Sequence, residues 1–127
     1  MNSGLIRLLI VEDNEEHIAL DKEFLPEDEF KVDWAMNVAS AISKLENETY
    51  DIAIFDYELP DGTGMDLLKM VKEQGIDVEV ILLTSHDDPD LSFEALKLGA
   101  IDYMVKGYEY FTQLRDRIIE NIEYLEE

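Results

Sequence analysis

The sequence has no cysteine, so no disulfide staples the fold and no thiolate holds a metal. Basic residues are scarce as well. Ten Lys and Arg stand against 31 Asp and Glu, a formal net charge of −21 at pH 7. A nucleic-acid surface needs Lys and Arg to meet phosphates, and this balance argues against one. It argues equally against anionic membranes and leaves basic partners open. There is no apolar run near the ~20 residues that cross a bilayer. Met1-Asn2-Ser3-Gly4 shows no basic region leading into a long apolar segment, so no secretory signal is read there. Together these absences favour a soluble, cytoplasmic protein. Solubility, or adaptation to a salty cytoplasm, accounts for the acidity as well as a basic partner does.

What is present is a globular composition. Hydrophobic residues make up 46% of 127 residues, enough for a core in one domain spanning 1–127. Apolar runs and helical patterns alternate along the chain. Strands are expected at about 6–11, 30–34, 51–55, 78–83 and 101–105. Between them, Asn14 caps a helix with Ile18, Leu20, Phe24 and Leu25 on its apolar side, and Asn37 caps one lined by Val38, Ala41, Ile42 and Leu45. Thr63 and Asp66 form a capping box ahead of Met65, Leu68 and Val71. Asp88-Pro89 opens a helix through Leu91, Ala95 and Leu98. A last helix runs over about 108–126, with Phe111, Leu114, Ile118, Ile122 and Leu125 on one side. Five strand–helix alternations imply right-handed crossovers and a parallel sheet covered on both faces. The fold class is α/β, doubly wound, and strand order 2-1-3-4-5 fits a short polar second strand beside very apolar first and third strands.

In such sheets ligands bind at the carboxyl ends of the strands. Those ends carry Glu12-Asp13, Asp56, Thr84 and Lys106. Singly, Thr84 reads equally well as a turn residue, and Lys106 reads more readily as a solvated lysine. Four such types at four strand ends form a constellation. Three close carboxylates repel, so they raise a carboxylate pKa or recruit a cation. Oxygen ligands without His or Cys suit a hard ion, Mg²⁺ first and Mn²⁺ second. With one divalent ion and Lys106 the charges cancel, and a phosphoryl group meets no net repulsion. An Asp carboxylate can then act as nucleophile and form an acyl phosphate.

The pieces L-I-V-E-D-N, F-D-Y-E-L-P-D-G-T-G-M-D-L-L, V-I-L-L-T-S and G-A-I-D-Y-M-V-K, in this order and spacing, resemble a receiver domain of two-component response regulators, the CheY-like family. The resemblance covers essentially the whole chain and implies a signalling switch rather than an enzyme with a separate substrate. Asp56 would accept phosphate from a sensor histidine kinase or phosphotransfer protein. Asp13 would bind Mg²⁺ directly together with Asp56, Glu12 through water, and Glu58 through its backbone carbonyl. Lys106 and Thr84 would hold the phosphoryl group, and Tyr103 would turn inward as Thr84 moves. Glu58 and His86 would tune the phosphoryl lifetime. The readout would be the face built from the fourth helix, fifth strand and fifth helix, for a downstream protein or a phosphorylation-dependent homodimer.

The chain departs from the family's usual Pro after the Lys, having Gly107 there, which makes Lys106 the least secure match. His86 reads equally well as a solvated loop histidine, and His17 reads as a surface residue. Trp34 is placed on the second strand, away from the site. Lys97, Asp102 and Arg115 lie near the output face, more readily as solvated charges than as bridges across a dimer. The chain would be either a stand-alone receiver or part of a longer regulator. A haloacid-dehalogenase-type phosphatase places its nucleophile after the first strand, and a flavodoxin would want a hydroxyl- and Gly-rich loop where Glu12-Asp13-Asn14 stands.

Overall fold

The computed structural model describes residues 4–126, so the reading of Met1 to Ser3 lies outside the described residues. Five parallel strands, β1 (Ile6–Val11), β2 (Phe30–Ala35), β3 (Ile52–Asp56), β4 (Glu79–Thr84) and β5 (Asp102–Val105), form one sheet in the order β2-β1-β3-β4-β5. The expected doubly wound topology is therefore the observed one. Helices α1 (Glu15–Glu23), α2 (Val38–Asn47), α3 (Gly64–Glu73), α4 (Pro89–Lys97) and α5 (Tyr108–Glu126) connect and cover it.

Strand alternation splits the core in two. Leu9, Val11, Ala53, Phe55, Val80 and Leu82 pack with Ala41, Leu68 and Ala95 of α2, α3 and α4. Leu8, Ile10, Ile52, Ile54, Ile81 and Leu83 pack with Ile18 of α1 and Leu114 and Ile118 of α5. Both faces of the central strands are thus buried, which is why they read as unbroken apolar runs.

Three strands reach one residue further toward the carboxyl edge than expected. Asp56 pairs with Leu83 and Thr84 with Val105, so both belong to the ladder. Their side chains are polar, and polarity was the cue for ending the strand, but the backbone keeps its partners. A short antiparallel hairpin of Glu58–Leu59 with Gly62–Thr63 lies between β3 and α3, outside the five expected strands. Asp61 turns out of it and accepts the backbone N–H groups of Val38 and Ala39 at 2.8 and 3.1 Å. The first turn of α2 is thereby tied to the loop that follows Asp56.

The caps are as expected at Asn14, Asn37, Thr63 and Asp88. The inward stripe of α1 is not. Leu20 and Phe24 are exposed, whereas Ile18, Asp21 and Leu25 are buried. Positions 18 and 21 lie on one face of α1, Leu25 joins the same cluster just past the helix end, and the carboxylate at 21 interrupts the apolar pattern.

Candidate functional site

The register of the sheet builds the site. Val11 is aligned with Phe55, Phe55 with Leu82, and Thr84 with Val105, so the residues just beyond lie along one rim. Glu12, Asp13 and Asp56 each offer a carboxylate oxygen, and these oxygens lie within 4.8 Å of one another. Glu12 and Asp56 are buried, while Asp13 is exposed. Asn14 turns the chain away into α1, its amide side chain accepting from the N–H groups of Glu16 and His17 at 2.9 and 3.1 Å. The N–H of Asn14 itself donates to Glu12 Oε2 at 3.1 Å.

Lys106 reaches into this cluster from the end of β5. Its Nζ is 2.8 Å from Asp56 Oδ2 and 3.1 Å from Glu12 Oε1. Burial pulls its pKa down, but the bond and charge of Asp56, with Glu12 behind them, outweigh that and raise it. Burial pushes the Asp56 carboxyl up to about 6; the Lys106 bond opposes the rise, and the Glu12 charge adds to it. A cluster with more negative charge than one ammonium can balance, and with only oxygen donors, fits a divalent cation of the Mg²⁺ type.

Gly64 secures the carboxyl end of β3. A Cβ there would sit 2.4 Å from the carbonyl oxygen of Asp56, so only glycine lets α3 start this close to the strand. The N–H of Gly64 donates to Tyr57 O at 2.9 Å and locks the turn.

The other expected site residues converge on the same rim. Thr84 is buried, and its hydroxyl accepts the N–H of His86 at 3.3 Å. Its carbonyl accepts the N–H of Lys106 at 2.7 Å. The Glu58 N–H donates to Asp56 Oδ1 at 3.3 Å. Ser85 links the two positions flanking the site: its hydroxyl lies 3.2 Å from Glu58 Oε1 and 3.0 Å from His86 Nδ1. Ser85 itself gave no sequence signal beyond following Thr84. The Tyr103 hydroxyl donates to His86 O at 3.1 Å and so contacts the loop that follows Thr84.

Expectations about four residues are corrected. His17 is not at the surface. Its side chain is 11% exposed, with Nε2 lying 3.6 Å from Glu12 Oε1 and 3.4 Å from Asp21 Oδ2, and its ring stacks on Tyr110. Burial, with Lys106 nearby, lowers its pKa to about 4. Trp34 does stand on β2, but its indole N–H donates to the backbone carbonyl of Glu12, which puts it against the site. Asp102 and Arg115 are not isolated charges. Asp102 holds Arg117 at 2.7 Å and Arg115 holds Glu29, both within the chain.

Behind the rim lies a second polar group that sequence reasoning missed. Asp21 is fully buried, and burial raises its carboxyl to about 8; the Tyr110 hydroxyl opposes the rise, and the Glu12 charge adds to it. That hydroxyl faces Asp21 without a well-directed hydrogen bond, and neither Asp21 oxygen has one elsewhere. The available signal was position: His17 and Asp21 are one turn apart on α1, and Asp21 shares the buried face of Ile18.

The comparisons with known proteins agree with this geometry. Residues 8–119 match the model of the response regulator receiver domain. The chain is 33% identical over 105 residues to the response regulator RppA of Synechocystis, covering 81% of this chain and 45% of that protein. The chain spans less than half the length of the curated relatives it matches. Among solved structures, a CheY-like receiver domain protein from Methanospirillum hungatei superposes with a TM-score of 0.86 at 29% identity, covering 96% of this chain and 97% of that one. The response regulator TrrA of Thermotoga maritima, solved in complex with Mg²⁺–BeF, gives a TM-score of 0.80 at 26% identity, covering 92% and 99%. With an acidic cluster at the carboxyl edge of a 2-1-3-4-5 sheet and a family model matched over most of its length, this chain belongs to the response regulator receiver domain family.

Proposed function

We propose that the chain is a phosphorylation-driven switch of two-component signalling, with Asp56 as phosphoacceptor. The observation that carries this is the placement of Asp56: buried at the end of β3, within 4.8 Å of two more carboxylates and 2.8 Å from Lys106 Nζ. A carboxylate oxygen of Asp56 attacks phosphorus, the phosphorus–nitrogen bond of a phosphohistidine breaks, and the imidazole leaves with the bonding pair. The reaction needs alignment and charge neutralisation above all. Lys106 supplies one positive charge directly at Asp56 Oδ2. The all-oxygen donor set favours Mg²⁺, with Mn²⁺ as the alternative, held by Asp13 and Asp56, by the Glu58 carbonyl, and by Glu12 through water. A bound ion would supply the remaining positive charge. The TrrA structure supports this choice, since that relative was solved with Mg²⁺ and a phosphoryl mimic.

Thr84 and Lys106 then hold the phosphoryl oxygens. The Thr84 hydroxyl accepts the N–H of His86, whose carbonyl holds the Tyr103 hydroxyl, so a shift at Thr84 is passed to Tyr103. Glu58 and His86, joined through Ser85, flank the path of attacking water and set how long the phosphate persists. The readout face is α4, β5 and α5, where Phe93, Leu96 and Tyr108 are exposed and suit an apolar protein partner. The donor is a sensor histidine kinase or phosphotransfer protein, consistent with relatives that are response regulators. The whole domain is taken as 1–127.

The test is incubation with Mg²⁺ and acetyl phosphate, or with beryllofluoride, while following backbone amide spectra. Changes at the rim and at Tyr103 that Asp56→Asn abolishes support the reading. Identical spectra with and without donor refute it.

A further inference from the structure

Lys106 must be held on Asp56, yet the chain just after it contributes little restraint. Gly107 takes φ +157°, and nothing lies within 4 Å of where its Cβ would be. The restraint comes from across the α1–α5 interface. Tyr110 is 2% exposed and Phe111 is half-buried, and both rings pack on His17, with centroids at 5.4 and 5.0 Å. His17 also faces the acidic cluster: Nε2 is 3.6 Å from Glu12 Oε1, the same oxygen that lies 3.1 Å from Lys106 Nζ. The contacts therefore close a ring, from His17 to Glu12, to Lys106, along the chain to Tyr110, and back to His17. Asp21, one turn further along α1, has its Oδ2 3.4 Å from the same Nε2.

We propose that His17 is a positioning residue for phosphoryl transfer: its imidazole clamps the start of α5 and orients Glu12, and so keeps Lys106 on Asp56. The choice of residues argues for this over packing alone. An apolar side chain would fill the same space against Tyr110 and Phe111 without burying a polar ring and a carboxylate beside each other, which is costly when they lack well-formed hydrogen bonds. Those two groups face the only buried glutamate of the rim among the described residues. The inference rests on Asp56 being the phosphoacceptor.

Two variants separate the parts of the clamp. His17→Phe keeps a ring against Tyr110 and Phe111 and removes the nitrogens, whereas His17→Gln keeps an N–H donor and removes the ring. Each is compared with the unaltered protein in three ways: thermal unfolding, the rate of Asp56 phosphorylation against acetyl phosphate concentration, and the amide resonances of Lys106 and Gly107 without metal. The expected result for His17→Phe is a maximal rate lower by roughly tenfold or more, with the half-saturating donor concentration unchanged. The Lys106 and Gly107 resonances shift in the metal-free protein, and His17→Gln recovers part of the rate. The proposal is overturned if His17→Phe phosphorylates at the unaltered rate with unmoved Lys106 resonances. It is also overturned if rate loss in both variants follows only the fraction unfolded. Should His17→Phe not fold, a His17→Gln rate equal to that of the unaltered protein with unmoved Lys106 resonances overturns it, and a slower rate with shifted resonances supports it. Failure of the unaltered protein to take phosphate at all is a different outcome, and refutes the role of Asp56 instead.

Discussion

The indole N–H of Trp34, at the end of β2, donates to the backbone carbonyl of Glu12 at the end of β1. Trp34 is the only tryptophan in the chain, so its emission reports on this one bond and its surroundings. Filling the carboxylate cluster with Mg²⁺ is expected to change Trp34 fluorescence in a saturable way, and Asp13→Asn is expected to weaken the response. A flat fluorescence titration alongside calorimetric evidence of Mg²⁺ binding would show that Glu12 does not move with the metal.

Asp21 makes stability depend on pH in a defined direction. Its carboxyl sits at about 8 in the folded protein, against 3.8 for the free side chain. The folded state therefore keeps a proton that the unfolded state has lost, and stability falls as pH rises through this window. His17, lowered to about 4, works the other way below its ordinary range, and it is present in both proteins compared. Between pH 5 and 8 the unaltered protein should lose on the order of 3 kcal/mol relative to Asp21→Asn, at about 1.4 kcal/mol per pKa unit. Urea unfolding at several pH values measures it, and parallel stability curves for the two proteins would contradict it.

Gly64 is required by a close approach. An alanine Cβ would overlap the carbonyl of Asp56 at 2.4 Å, and backbone cannot yield as a flexible side chain can. Gly64→Ala is expected to destabilise by about 1–3 kcal/mol and to slow phosphorylation of the residual folded protein, because the strain falls on the nucleophile's own peptide. Normal stability with normal phosphorylation would mean that α3 can back away freely.

Ser85 joins Glu58 to His86 across the mouth of the site. Glu58→Asn is expected to change the autodephosphorylation rate several-fold, and Ser85→Ala to change it as well, because Glu58 and His86 lose their shared partner. Decay of labelled phosphate measures both. Unchanged half-lives would leave the bridge without a kinetic role.

The fold was legible because its central strands are buried on both faces and four of its helices begin with Asn, Asp-Pro or Thr-x-x-Asp signals that cap as expected. The rim was legible because Glu12-Asp13, Asp56, Thr84 and Lys106 each stand where an apolar run stops. What escaped was set by tertiary contact. Asp21 and His17 occupy core positions that helix periodicity assigns to apolar residues, so their burial depends on Tyr110 and Glu12 from distant parts of the chain. Trp34 lies 22 residues from its acceptor, and the Arg117–Asp102 and Arg115–Glu29 pairs form only once α5 docks. No local pattern encodes such partners.

The most direct measurement is intact mass spectrometry and peptide mapping after incubation with Mg²⁺ and acetyl phosphate. The account predicts one added phosphoryl group, on Asp56, lost on hydroxylamine treatment and absent in Asp56→Asn and in the presence of a chelator. No added mass under any donor, or the same mass gain in Asp56→Asn, would contradict it.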